Sequence, residues 1–557
     1  MKQAKTRFQS QLDTRSFTLK QAAARYRERR GRHPPPGFDK WFEQAKKDDA
    51  VIVEQFFDRI YHDITPFWAL KPADLRKQAS HQPQLIRIRN GKAWFVTDDP
   101  SRQPWIQLWT ALVKEMMPHL PDLDMVINFM DESRVLVPWE KMSKYVKTEQ
   151  SQRKLISPEK AISTYSGLKD GGSEQEKPYD PGWITKDSPK YWDYFRRSCP
   201  PRSPGRKLPA LKSFNVTIEY PRKPLPYTME GFVENFTQAQ DPCLQPHLRG
   251  MHGTFIESVS ISTTDELFPI FGGSKLPQNN ELLIPGAMYL TDRDFYSGGT
   301  SHGPPWRDKR AEMVWRGTAS GGRNKKDNWW HFHRHRWVQM LNGTTLAAVG
   351  RGDSARGPTF KLPGQSQLPG SLRDSERLSR WVSSVADVAF VDLECFPSVQ
   401  EETGIWQLKL RERSKTCPYT SPFFSLQHHL PMKKQYDYKL LPDVDGNSFS
   451  GRWRAFLQST SLPLKSTIYT EWHDDRIVPW LHFVPFDNSY MDIYAIVHFF
   501  LEEDDEAAEE IAEEGARWSQ LVYRRPDMKL YVWRLLLEYA RVVDDERDYL
   551  GFVEDLL

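Results

Sequence analysis

Two segments of this chain bring small residues, hydroxyls and arginines to the point where an apolar run gives way to a helix. The first is Asp443-Val444-Asp445-Gly446-Asn447-Ser448-Phe449-Ser450-Gly451-Arg452, with strand character over 438–444 before it and the helical run Trp453-Arg454-Ala455-Phe456-Leu457-Gln458 after it. A strand, a small-residue turn and a helix start gather several backbone N–H groups beside the positive end of a helix dipole, which suits a diphosphate. Arg452 adds a guanidinium able to fork onto phosphate oxygens. The plainer alternative is a strand-turn-helix in which Ser450 only caps the helix. The second segment is Met313-Val314-Trp315-Arg316-Gly317-Thr318-Ala319-Ser320-Gly321-Gly322-Arg323. Its glycines let the backbone approach a ligand closely, and Arg316 and Arg323 supply positive charge; a loop with solvated arginines is the alternative. Both loops fall at the carboxyl ends of strands on one expected sheet, where open α/β sheets bind ligands.

Three further groups of residue types can do chemistry. Asp443 and Asp445 form an Asp-x-Asp pair of the kind that holds Mn²⁺ or Mg²⁺ under a nucleotide diphosphate. His331 and His335 share a helix face, but no glutamate of a zinc-protease motif and no third ligand accompanies them, so packing is the better reading. Met125-Val126-Ile127-Asn128-Phe129-Met130-Asp131 is an apolar strand ending in a carboxylate, which suits a general base in a cleft or a simple cap.

These residues need a large frame, and 557 residues imply two large domains. With 77 basic and 73 acidic residues the net charge is only +4 and spread along the chain, which argues against a nucleic-acid binder that neutralises phosphates. The 20 tryptophans suit either sugar-binding faces or a large aromatic core. No run of about 18 apolar residues is present, and the polar start Met1–Arg7 shows no signal-peptide core. Cys199, Cys243, Cys395 and Cys417 lack zinc-type spacing and are consistent with two disulfides. Asn215-Val216-Thr217, Asn235-Phe236-Thr237 and Asn342-Gly343-Thr344 are glycosylation sequons, meaningful only in a secretory compartment.

Along the chain, a helix over 19–30 is followed by the stiff break His33-Pro34-Pro35-Pro36-Gly37 and a helical stretch over 38–64, in which Val51, Val53, Phe56, Phe57 and Ile60 recur at helical intervals. The polar stretch 148–212, typified by Lys169-Asp170-Gly171-Gly172-Ser173, reads as a long surface excursion with a short helix near 191–197. Strand character over 313–315, 388–393, 438–444, 462–465 and 482–485 alternates with helices, which implies a mostly parallel sheet. The acidic run 502–514 reads as a solvated helix face carrying Ile511 inward, and 530–542 as a final amphipathic helix.

Taken together, Trp315-Arg316-Gly317, His333-Arg334-His335-Arg336, Asp445–Arg452 and Pro479-Trp480-Leu481-His482-Phe483-Val484-Pro485 resemble glycosyltransferase family 90, which contains fungal capsule-associated proteins and Rumi-type protein O-glucosyltransferases. The stretch from Tyr26 to Asp39 is similar to the stem of the fungal branch. The resemblance implies an α/β, GT-B-like architecture: two Rossmann-like domains facing a cleft, with an N-terminal helical stem. The expected divisions are a stem over 1–70, an acceptor-side domain over 71–305 with the polar insertion near 148–212, a nucleotide-sugar domain over 306–525 and a helical segment over 526–557. It implies inverting, metal-independent transfer of xylose or glucose from a UDP-sugar to a glycan or glycoprotein hydroxyl, with no cofactor and no nucleic acid.

By the same resemblance, Asn128-Phe129-Met130-Asp131 matches the family's Asn-x-x-Asp context and makes Asp131 the base, with Asn128 supporting it. The following Glu132-Ser133-Arg134 departs from the animal enzymes, so Glu132 is the neighbour to exclude. Arg316, Gly317, Arg323, Gly446, Ser448, Phe449, Ser450 and Arg452 would bind the donor, Glu471 its ribose, and His482 either a phosphate or the core. The family's secretory, Golgi-type setting would call for a membrane anchor that this sequence does not supply. An inactive nucleotide-sugar- or glycan-binding homologue, and a metal-dependent transferase using Asp443 and Asp445, are the alternatives.

Overall fold

The computed structural model describes residues 1–168, 177–185, 190–221, 223–259, 262–396 and 417–557; the expected Lys169–Ser173 excursion lies outside the described residues. Among the described residues, twelve strands form two five-stranded sheets and a hairpin. They are β1 (Leu85–Arg89), β2 (Lys92–Val96), β3 (Leu123–Ile127), β4 (Thr228–Met229), β5 (Phe232–Val233), β6 (Ile270–Gly272), β7 (Leu282–Leu283), β8 (Arg310–Thr318), β9 (Ala386–Asp392), β10 (Tyr438–Val444), β11 (Leu462–Ser466) and β12 (Val484–Pro485). The chain is thus α/β.

The second sheet runs β12-β11-β10-β8-β9 and is parallel throughout. Every residue of β11 is buried, as are six of the seven in β10, as a strand covered on both faces requires. Helices Ser375–Val385, Ile493–His498 and Asp505–Val522 pack with it around one core containing Trp315, Trp337 and Phe390. The first sheet, β2-β1-β3-β6-β7, is mixed: β1 pairs antiparallel with both β2 and β3, and only β3-β6-β7 is parallel.

Several sequence expectations change in three dimensions. The 19–30 helix stands as expected, opened by the Thr18 capping box and closed by Gly31 at φ 65°. The 38–64 stretch is three elements, a helix Phe38–Lys47, a 3₁₀ turn Glu54–Phe57 and a helix Asp58–Ile64. Asp48 and Asp49 oppose the dipole at the first helix's carboxyl end, and Asp49 turns the chain at φ 50°. The apolar residues Val51, Val53, Phe56, Phe57 and Ile60 are nonetheless all buried. The 482–485 strand shrinks to Val484–Pro485, because Trp480, at φ 64°, and His482 belong to the preceding turn. Ile511 is buried as expected, but the acidic run is split by a π-helical turn, Phe499–Glu503, before the long helix begins.

The last helix, Arg525–Val542, is not amphipathic: every residue from Leu530 to Val542 is buried, the charged Arg534, Glu538 and Arg541 included. It runs through the same core as Tyr26, Phe38, Trp41 and the first sheet. Its charges are met by distant partners. Arg534 holds both carboxylate oxygens of Glu54 at 2.6 and 2.7 Å, while Tyr26 donates to Glu538 at 2.6 Å and Arg541 pairs with Glu538. In the excursion, the helix Tyr191–Ser198 forms as read, and disulfide Cys199–Cys243 pins its end against the chain at Gly205. Cys395–Cys417 closes the second pair. Among the described residues no helix is long and apolar enough to cross a membrane.

Candidate active site

The carboxyl end of β3 leads into the Asn128–Asp131 turn. Asn128 donates from Nδ2 to the Glu132 carbonyl at 2.9 Å and accepts from the Met130 N–H at 3.1 Å, which folds the turn around it. Asn128 is buried, while Asp131 at the turn's crest is exposed. A solvated carboxylate on a turn braced by a buried amide can meet an incoming hydroxyl.

Opposite it stands the loop after β10. Asn447 donates from Nδ2 to Asp131 Oδ2 at 3.3 Å, and its Oδ1 accepts from the N–H groups of Gly321 and Gly322 at 2.9 and 3.1 Å. One amide therefore joins the β3 turn, the β8 loop and the β10 loop. Both glycines are required: Gly321 and Gly322 have φ of 114° and 126°, and a Cβ on either would fall 2.5 Å from the His333 ring or 2.4 Å from the Glu257 carbonyl. Gly317 is needed for a different reason, since its missing Cβ makes room for the Trp315 ring.

Beneath these loops lies Arg334, on the helix His333–Met340. Its guanidinium donates to the Asp445 carbonyl at 2.7 Å, the Thr318 carbonyl at 3.1 Å and the Ser320 hydroxyl at 2.7 Å, tying the ends of β8 and β10. A Cβ on Gly446 would lie 3.2 Å from Arg334, so the guanidinium would have to give by a few tenths of an ångström. Arg452 donates to the Arg316 carbonyl at 2.7 Å. Burial, then repulsion from Arg452, pushes the Arg334 guanidinium down to about 10, and burial likewise lowers Arg452. Both side chains donate to uncharged oxygens, while the carboxylates of Glu394 and Asp445 near Arg334 and of Asp443 near Arg452 offset part of their charge.

The other sequence candidates divide. Ser448 closes the loop tip by its carbonyl, which accepts from Gly446 N–H at 2.7 Å. Phe449 reaches across to the first half: its ring fills the space a Cβ on Gly286 would need and lies 5.6 Å from Tyr289, edge to face. Ser450 is buried next to Asp443. Arg323 borders the same loop, its backbone N–H held by the Glu257 carbonyl and its guanidinium 6.0 Å from the Phe396 ring.

Arg316 points away from the loops and is occupied, donating to Asp387 Oδ1 at 2.6 Å and to the Asp387 carbonyl at 2.7 Å. Glu471 is 1% exposed; it accepts from Tyr289 at 2.7 Å and lies 3.6 Å from Lys465. Burial alone would raise its carboxyl, but the His473 ring and Lys465 ammonium outweigh that and hold it below its ordinary value. As placed, it has no face open to a ribose. His482 packs in the core, stacked on Trp518, and burial lowers its ring to about 3.

The Asp-x-Asp pair is likewise engaged: Lys465 donates to Asp443 at 2.9 Å, and Asp445 accepts from the Ile468 N–H at 2.9 Å with His252 3.3 Å away. His331 faces the carbonyls of Gly250 and Phe214, and His335 sits among Trp329, Phe332, Phe390 and Phe424.

Residues to which sequence reasoning gave no role complete the centre. Asn447 and Arg334 are the main ones. His252 stacks on His333 at 4.0 Å, and His333 donates to the Asp445 carbonyl at 2.8 Å. Tyr469 donates to the Asn447 carbonyl at 3.1 Å and shares a 2.6 Å hydrogen bond with Thr254. The usable signal was the run His333-Arg334-His335-Arg336 followed directly by Trp337 and Val338, on a helix whose eight residues the structure buries.

An α/β protein that gathers Arg334, Arg452 and the exposed Asp131 carboxylate at the ends of strands has the makings of a centre for an anionic leaving group. Residues 402–547 match the family described as glycosyl transferase family 90, so the resemblance read from the sequence holds there. Over 106 residues the chain is 31% identical to protein O-glucosyltransferase 3 of Rattus norvegicus and, equally, to that of Mus musculus. The aligned part covers 19% of this chain and 21% of each relative, so the chain matches about a fifth of the length of these relatives.

Proposed function

We propose that this protein is an inverting glycosyltransferase that moves a sugar, xylose or glucose, from a UDP-sugar to a hydroxyl of a glycan or glycoprotein, working in the lumen of the secretory pathway, Golgi included. The observation that carries the reading is the Asn447 bridge, which sets the Asp131 carboxylate against the two loops that follow β8 and β10. The two sheets are the lobes of a GT-B-like pair, with the donor on the all-parallel one. The family match over 402–547 and the partial likeness to O-glucosyltransferases support the transfer. The two disulfides support the compartment.

In this mechanism Asp131 accepts the proton of an acceptor hydroxyl while that oxygen attacks the anomeric carbon from the face opposite the diphosphate. The carbon–oxygen bond to the diphosphate breaks, and UDP leaves with the charge. Arg334 and Arg452, with Arg323 at the loop's edge, stabilise that charge in place, without waiting for solvent to reorganise. Asn447 keeps base and donor loops in register. Arg316 acts at one remove, through the carbonyl that Arg452 holds.

Metal-independent transfer is the preferred form, because Asp443 and Asp445 already have internal partners. Purified protein offered a panel of UDP-sugars, with and without EDTA, tests the proposal. UDP release from one donor, unaffected by EDTA, is expected. EDTA-sensitive release would return Asp443 and Asp445 to the role of metal ligands, and UDP binding without release from any donor would identify a binding homologue.

A further inference from the structure

The transfer site leaves the three sequons unused, and the fold separates them. Asn215, Val216 and Thr217 are all exposed, in a stretch outside any helix or strand, and Val216 is 47% exposed although apolar. The stretch is anchored on either side rather than at the asparagine: the Phe214 carbonyl is held by His331 at 2.9 Å, and Ile218 is buried. Asn235 and Thr237 are exposed as well, while Phe236 between them turns inward against Phe483. Asn235 caps the short helix Phe236–Ala239 through Oδ1, which accepts from Gln238 N–H at 3.2 Å. Its amide nitrogen plays no part in the cap, and a glycosylated asparagine keeps that carbonyl oxygen.

Asn342 differs. It is half-buried, and its Oδ1 accepts from both the N–H and the hydroxyl of Thr345, at 2.9 and 3.1 Å. The next residue, Gly343, is pressed onto the helix Ser375–Val385 so closely that a Cβ would fall 2.0 Å from the Ser383 hydroxyl and 2.4 Å from the Ser379 carbonyl. The backbone beside Asn342 has no freedom to move away from a bulky branch. The compartment is marked independently of the sequons, since all four cysteines are paired, with Cα atoms 5.5 and 5.6 Å apart, and none is free.

We infer that Asn215 and Asn235 are N-glycosylation sites of the folded protein and that Asn342 stays bare. In the modification, the side-chain amide nitrogen of each asparagine bonds to the anomeric carbon of a lipid-diphosphate-linked oligosaccharide. The amide loses a proton to a base of the transferring enzyme, and the lipid diphosphate departs with the electrons of the broken carbon–oxygen bond. Both glycans then stand on exposed asparagines.

The test is peptide mapping of the full chain secreted from a eukaryotic host, with and without an N-glycan amidase that converts each carrier asparagine to aspartate. Conversion is expected at 215 and 235 and not at 342. Asn215→Gln and Asn235→Gln should each remove one step of the gel-mobility shift that the amidase abolishes, and Asn342→Gln none. An unconverted Asn215 or Asn235, or a converted Asn342, in protein with both disulfides formed overturns the inference. So does protein that carries neither disulfides nor glycans. Mapping the unmutated chain avoids dependence on how the variants fold, and UDP release measured on the same sample keeps a failed sequon assignment separate from a failed transferase assignment.

Discussion

Two groups of buried arginines in this molecule sit in opposite electrostatic states. In the core of the first half, Arg534 and Arg541 face Glu54 and Glu538. Burial alone would lower both guanidinium groups, but the carboxylates outweigh it and raise them above the ordinary arginine value. At the ends of β8 and β10, Arg334 and Arg452 hold carbonyls and a hydroxyl, and both are lowered. The first pair is part of how the chain folds. The second keeps positive charge at the loops that Asp443, Asp445 and Glu394 offset only in part, which suits a site for a diphosphate.

Substitutions should separate the two groups. Glu54→Gln leaves Arg534 buried without its counter-charge and is expected to cost about 3–5 kcal/mol of stability, read from denaturant midpoints, while UDP affinity is unchanged. Arg452→Met should do the reverse, weakening UDP binding about ten- to hundredfold by titration calorimetry, with only about 1 kcal/mol lost in stability. Equal effects of both variants on stability would erase the distinction. Asn447→Ala removes the acceptor shared by Gly321 and Gly322, and kcat/KM should fall about tenfold.

A further effect concerns pH. His482 stays neutral in the fold down to about pH 3, whereas unfolded histidine takes a proton below about 6.5. Between those values the unfolded state binds more protons, so stability falls as pH falls. His482→Phe should flatten the acid limb of the stability profile between pH 6 and 4 by about 1.4 kcal/mol per pH unit. An unchanged slope would show that His482 does not contribute.

How far the sequence led depends on how local each cause is. β10 was legible to the residue, and the β8 and β10 loops stood out because glycine and serine at a strand end have few other uses. The antiparallel β1–β2 hairpin went unread, as did the break at Asp49, which leaves the apolar residues around it buried. The last helix was misread for a long-range reason: Arg534 and Arg541 look solvated until Glu54 and Tyr26, nearly 500 positions earlier, come to meet them. The partner of Arg316 went unread for the same reason, because Asp387 lies on the neighbouring strand. Asn447 lay within a quoted motif, yet an amide's role depends on which backbones converge on it.

The central claim is that the first half supplies the base and the second holds the diphosphate. Asp131→Asn tests it most directly when UDP affinity and donor turnover are measured on the same preparation. The account predicts UDP binding within about twofold of the native protein and turnover reduced by about 10²–10⁴. Turnover at the native rate, or loss of UDP binding in step with turnover, would contradict it.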